Sequence, residues 1–92
     1  MLHNFLIAET ETFQNKIKKN EFKKLESKIK NYVYPILKMN PYYGNNIKKL
    51  KGEFEGIYRY RIGDVRLFYK IDENKIIIFL IDIERRKDSY KK

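Results

Sequence analysis

The sequence predicts an α+β domain: an N-terminal strand, a two-helix hairpin, then a three-stranded antiparallel meander, giving a four-stranded sheet with helices on one face. Three observations carry this. Phe22, Leu25, Ile29, Tyr32, Val33, Ile36 and Leu37 recur at helical spacing. Gly63-Asp64 separates two runs rich in β-branched and aromatic residues, the mark of a two-residue hairpin. Asp72-Glu73-Asn74-Lys75 then divides the second run from a third, the strand-sized apolar stretch Ile76 to Ile81. Ninety-two residues are enough for one core and too few for two, so a single domain is expected over residues 1–92.

Phe5-Leu6-Ile7-Ala8 is the expected first strand. Thr10 and Thr12 are candidate N-caps for a first helix that puts Phe13 and Ile17 on one face. A break is expected near Asn20, and a second helix runs from Glu21 until Pro35 ends or kinks it. Residues 39–52 read as loop, on the signals Asn40-Pro41, Gly44 and Asn45-Asn46. Strands follow at about 57–62, 65–71 and 75–83. Alternation places Tyr58, Tyr60, Leu67, Tyr69, Ile78 and Leu80 on one sheet face. Arg59, Arg61, Arg66 and Phe68, with Phe79 and Ile81 beyond them, fall on the other. The last strand is apolar on both sides and is expected inside the sheet.

The net charge is +9 and the pI about 9.7, which suits a nucleic-acid partner, an anionic membrane or an acidic protein. The chain has no cysteine and a single histidine, His3, so disulfides and thiolate metal sites are excluded and no metal or cofactor is expected. No apolar run approaches the ~20 residues of a membrane span. The N-terminus carries no signal-peptide pattern, so a cytoplasmic location without a membrane partner is expected.

The two-residue loop sets Arg61 opposite Arg66 and Arg59 opposite Phe68. Like charges directly opposed across strands are destabilising, so the pattern suggests a site prepared for an anion; a solvated outer face is the plainer alternative. Arginine's planar fork matches phosphate oxygens, and Phe68 offers a surface on which a base could stack. A second cluster, Arg85-Arg86-Lys87 followed by Tyr90, is either a basic tail or an extension of the same site, where nearby cations would favour the phenolate of Tyr90. The patch Lys48-Lys49-Leu50-Lys51 adds possible phosphate contacts, with Lys49 and Lys51 as the expected ones. The carboxylate pairs Glu9/Glu11, Glu53/Glu55 and Asp82/Glu84 read as surface charges.

Three segments together carry a family resemblance: Leu50-Lys51-Gly52, the run Gly56 to Tyr69, and Ile83-Glu84-Arg85-Arg86-Lys87-Asp88-Ser89-Tyr90. In this order, in a small basic chain, they resemble the RelE/ParE superfamily of type II toxins. The resemblance to the RelE branch implies a ribosome-dependent, metal-free endoribonuclease that cuts mRNA in the A site through the RNA's own 2′-hydroxyl. It implies Tyr90 as base, Arg61 and Arg66 as holders of the phosphorane charge, and Arg86 at the leaving group. Lys49, Lys51, Arg59, Phe68 and Arg85 would contact RNA. An acidic RelB-like antitoxin is the implied partner, in a heterotetramer or larger assembly, beside the ribosome and mRNA. Many relatives carry histidine where this chain has Arg85, which favours a subgroup working with arginine, lysine and tyrosine. A gyrase-poisoning ParE-like toxin and a non-catalytic RNA-binding module are the alternatives.

Overall fold

The computed structural model describes residues 4–85. Strand β1 (Leu6–Glu9) leads into helix α1 (Glu11–Ile17), then α2 (Asn20–Lys28), a π-helical turn (Ile29–Val33) and α3 (Tyr34–Met39). Strands β2 (Ile47–Lys49), β3 (Tyr58–Ile62), β4 (Val65–Asp72) and β5 (Ile77–Arg85) complete a five-stranded sheet in the order β1-β5-β4-β3-β2. The α+β class and the meander agree with the sequence. The sheet differs in two respects. It is mixed, because β1 runs parallel to β5 after the helical crossover. It also has a fifth strand where the sequence reads as loop: Ile47 pairs with Tyr60 and packs on the core, but three residues are too few to show a period.

Thr10 is the cap, not Thr12, and it does two jobs. Its Oγ1 accepts from the Phe13 N–H at 3.2 Å and donates to the Leu80 carbonyl at 2.9 Å, so one hydroxyl starts α1 and fastens it to β5. Beyond the end of β1, α1 occupies the flank of β5, where Lys16 Nζ reaches Asp82 at 2.7 Å. The helical layer does not stop before Pro35. Pro35 has no N–H to give, and the turn ahead of it widens so that the Tyr34 N–H bonds the Ile29 carbonyl five residues back. The extra residue rotates the following face. Tyr32, expected inside, is 59% exposed, and Tyr34 takes a buried place instead.

The core lies between the helices and one sheet face. Phe13, Ile17, Phe22, Ile29, Val33 and Leu37 meet Tyr60, Val65, Leu67, Tyr69, Ile78, Leu80 and Ile83. Each fully buried large side chain contributes about 1.5–3 kcal/mol. β5 serves this core along its whole length only because of a bulge. Its register runs Tyr69↔Leu80, then Phe68↔Asp82, which leaves Ile81 as the extra residue. The sheet's other face is covered by no described helix of four or more residues. No helix among the described residues is long and apolar enough to cross a membrane.

Three tyrosines are tied by their hydroxyls: Tyr34 donates to Glu9 at 2.7 Å, Tyr42 to Glu73 at 2.9 Å and Tyr69 to the Pro41 carbonyl at 2.7 Å. Burial raises all three phenols above their ordinary value; the bonded carboxylates add to this for Tyr34 and Tyr42, and neighbouring tyrosines for Tyr69. Tyr42 is pushed up to about 12. A raised pKa favours the protonated form in the folded state. The stabilisation is therefore complete below about pH 10, the unfolded tyrosine value, and is lost as pH climbs through the folded values. The urea midpoint is expected to decline between about pH 10 and 12, and Tyr42→Phe to lessen that decline. Thr10→Ala is expected to cost about 1–2 kcal/mol, read as a lowered urea midpoint at unchanged slope.

Candidate nucleic-acid interface

Strand pairing builds a cationic surface on the open sheet face. The turn between β3 and β4 has Gly63 at φ 57, the positive value that its first position requires. The resulting register sets Arg59 against Phe68 and Arg61 against Arg66, as the two-residue loop demands. β2 then extends the surface, because Lys48 stands opposite Arg59. Lys49 stands opposite Tyr58, on the helix side of the sheet. Lys48 is thus the lysine that joins the arginines, and Lys49 does not. Strand alternation from core-facing Ile47 is the signal that identifies Lys48. Lys51 is exposed and precedes the short 3₁₀ turn Gly52–Phe54.

A cleft of ≈ 530 Å³ opens on this face. Leu50, Phe54 and Ile57, from the segment between β2 and β3, give it an apolar lining. Arg59, Arg66 and Phe68 make it cationic and aromatic, and Asp82 and Glu84 from β5 add carboxylates. The Arg66 guanidinium carbon lies 5.9 Å from the centre of the Phe68 ring, a cation–π contact that holds both against the sheet. Arg61 is exposed beside Arg66 and outside the cleft lining. Such a surface can grip a phosphate with forked donors and stack a flat ring beside it. Among the described residues no group of three or more His, Cys, Asp or Glu is placed to hold a metal ion. Arg86 and Tyr90, and His3 with them, lie outside the described residues.

A family model described as the ParE toxin of the type II toxin–antitoxin system parDE matches residues 10–90. The chain belongs to the RelE/ParE family of type II toxins. The fold of this toxin is shared by solved relatives at low identity. The RelBE2 toxin–antitoxin complex of Mycobacterium tuberculosis contains a chain 20% identical, with a TM-score of 0.77 over 91% of this chain and 93% of that one. YafQ of Escherichia coli is 14% identical, with a TM-score of 0.70 over 95% and 99%. The RelE–RelB complex of Pyrococcus horikoshii is 19% identical, with a TM-score of 0.64 over 90% and 96%. No curated protein matches the toxin by sequence.

Arg85 does not join the cationic face of the toxin. It pairs with Val65, on the helix side. There its guanidinium donates to both Asp64 oxygens at 3.0 and 3.1 Å and to the Glu21 carbonyl at 2.6 Å, and it lies 5.7 Å from the centre of the Phe22 ring. These contacts tie the end of β5 to the hairpin turn and to the start of α2, so the residue acts as a brace. Arg85→Ala is expected to lower stability by about 1 kcal/mol, given the partial solvent exposure of the pair. Arg61→Ala, which removes one of two opposed like charges, is expected to leave stability unchanged or raise it. Urea midpoints of the two variants check both.

Proposed function

We propose that this toxin is a ribosome-dependent endoribonuclease that cuts mRNA in the A site by metal-free attack of the RNA's own 2′-hydroxyl. The observation that carries the reading is the gathering of Lys48, Arg59, Arg61 and Arg66 around Phe68 on one open sheet face, beside a cleft large enough for a nucleotide. Fixed guanidinium charges aimed at a phosphate stabilise the negative charge that grows on phosphorus, the kind of preorganised donor whose removal costs about 10²–10³-fold in rate. Arg66 and Arg61 take that role, Arg59 and Lys48 hold flanking phosphates, and Phe68 stacks a base. Lys51 is a peripheral phosphate contact. From the family resemblance, Arg86 stands at the leaving oxygen and Tyr90 serves proton transfer. A scaffold with no histidine among residues 4–85 would be slow by itself and depend on the ribosome to orient the RNA.

A protein acting on translating ribosomes works in the cytoplasm. Its partner is an acidic RelB-like antitoxin that covers Arg59, Arg61 and Arg66, in a heterotetramer or larger assembly. Several solved relatives, among them the RelE–RelB complex of Methanococcus jannaschii and the heterotetrameric YoeB–YefM complex of Staphylococcus aureus, are held by antitoxins. The ParE description of the matching family favours one other reading, inhibition of DNA gyrase through protein contact.

In vitro translation on programmed ribosomes, with mRNA ends mapped by primer extension, separates the two. Wild type is expected to produce new 3′ ends at the A-site codon. Arg66→Ala is expected to reduce them about 10²-fold or more, and Arg86→Ala and Tyr90→Phe to reduce them as well. Intact mRNA, together with double-strand DNA breaks in cells expressing the toxin, would replace the ribonuclease reading with the gyrase one.

A further inference from the structure

The cleft contains a group to which the roles above give no task. Glu84 is exposed, lines the cleft with Arg59, Arg66 and Phe68, and pairs across the β4–β5 ladder with Arg66. Opposed residues on one sheet face have Cβ atoms about 4.5–5.5 Å apart, the span of a ribose and its adjoining phosphate. The bulge at Ile81 creates this pairing. An uninterrupted register would continue from Tyr69↔Leu80 to set Ile83, not Glu84, against Arg66. Bulges recur beside active sites because they re-aim a side chain. The other carboxylate of the cleft is committed elsewhere: Asp82 Oδ1 accepts from Lys16 at 2.7 Å and from the Ile83 N–H at 2.8 Å.

We propose that Glu84 is the proton acceptor of the cleavage step, an inference that rests on the endoribonuclease reading. The 2′-hydroxyl proton passes to the Glu84 carboxylate as O2′ bonds to phosphorus. Charge building on the non-bridging oxygens faces Arg66, the residue opposite Glu84, with Arg61 beside it. The P–O5′ bond breaks, the leaving 5′-oxygen takes a proton by the transfer assigned above to Tyr90, and solvent carries the Glu84 proton back to that phenol. The products are a 2′,3′-cyclic phosphate and a 5′-hydroxyl. A carboxylate in the middle of a phosphate-binding surface opposes RNA binding by repulsion. Its chemistry becomes useful only when a proton must be accepted, and a carboxylate is the ionised side chain suited to that at neutral pH.

The two roles of such a carboxylate predict effects of opposite sign on removal. The test measures ribosome affinity and single-turnover cleavage of A-site mRNA for wild type, Glu84→Gln, Glu84→Asp and Tyr90→Phe, with urea midpoints to confirm folding. Glu84→Gln is expected to bind as tightly as wild type or more tightly, yet to cleave about 10²–10⁴-fold more slowly, with Glu84→Asp in between. Glu84→Gln cleaving as fast as wild type or faster, with Tyr90→Phe slow, would make Glu84 a mere surface charge and Tyr90 the acceptor. Parallel loss of binding and cleavage in a folded Glu84→Gln would also overturn the assignment. A wild type that leaves mRNA intact would instead remove the endoribonuclease reading, and the inference with it.

Discussion

β5 must feed the core at both of its ends, and the single extra residue at Ile81 makes that possible. Leu80 and Ile78 are buried on one side of the bulge and Ile83 on the other. In an unbroken ladder Asp82 would stand opposite Leu67, facing the helices, and Ile83 would stand on the open face. That arrangement would bury an ionised group among apolar ones, at a cost of several kcal/mol, and would expose a side chain whose burial is worth about 2 kcal/mol. The bulge reverses both. It also turns Glu84 outward against Arg66 and Arg85 inward over Phe22. The site and its brace therefore follow from a requirement of the core.

The cationic face shows what the fold tolerates for the sake of that surface. Arg61 and Arg66 oppose each other directly, which a sheet selected for stability alone would avoid. The arrangement is eased by solvent around Arg61 and by the Phe68 ring against Arg66. β2 contributes Lys48 to the surface while remaining a three-residue edge strand with two lysines, features that discourage pairing with another chain. The same short strand thus supplies charge and protects the edge.

Solved relatives share this fold at identities as low as 13%. Such persistence is expected of a small α+β domain, because its architecture depends on where apolar residues recur and where turns fall, and many sequences satisfy that pattern. Function on a shared fold is set by a handful of side chains grafted onto it, and the ones proposed here stand on the open face.

The sequence by itself determined the hairpin register, the arginine face, the capped first helix, the amphipathic second one and the place of β5 inside the sheet. Each is written in local spacing: a two-residue loop fixes which residues oppose, and a period of two or of about 3.6 fixes which face they share. Tertiary structure decided the rest. The π turn lets the helix pass Pro35 and exchanges Tyr34 for Tyr32 in the buried set, because packing rewards continuity of the helix over its local break. Ile47 becomes a strand residue only because Tyr60 is there to pair with it, and that pairing selects Lys48 over Lys49. The bulge at Ile81, which sends Glu84 and Arg85 to opposite faces, has no glycine or proline to announce it. It arises where two long strands and a helical layer must all be satisfied together, a condition set by residues far apart in the chain.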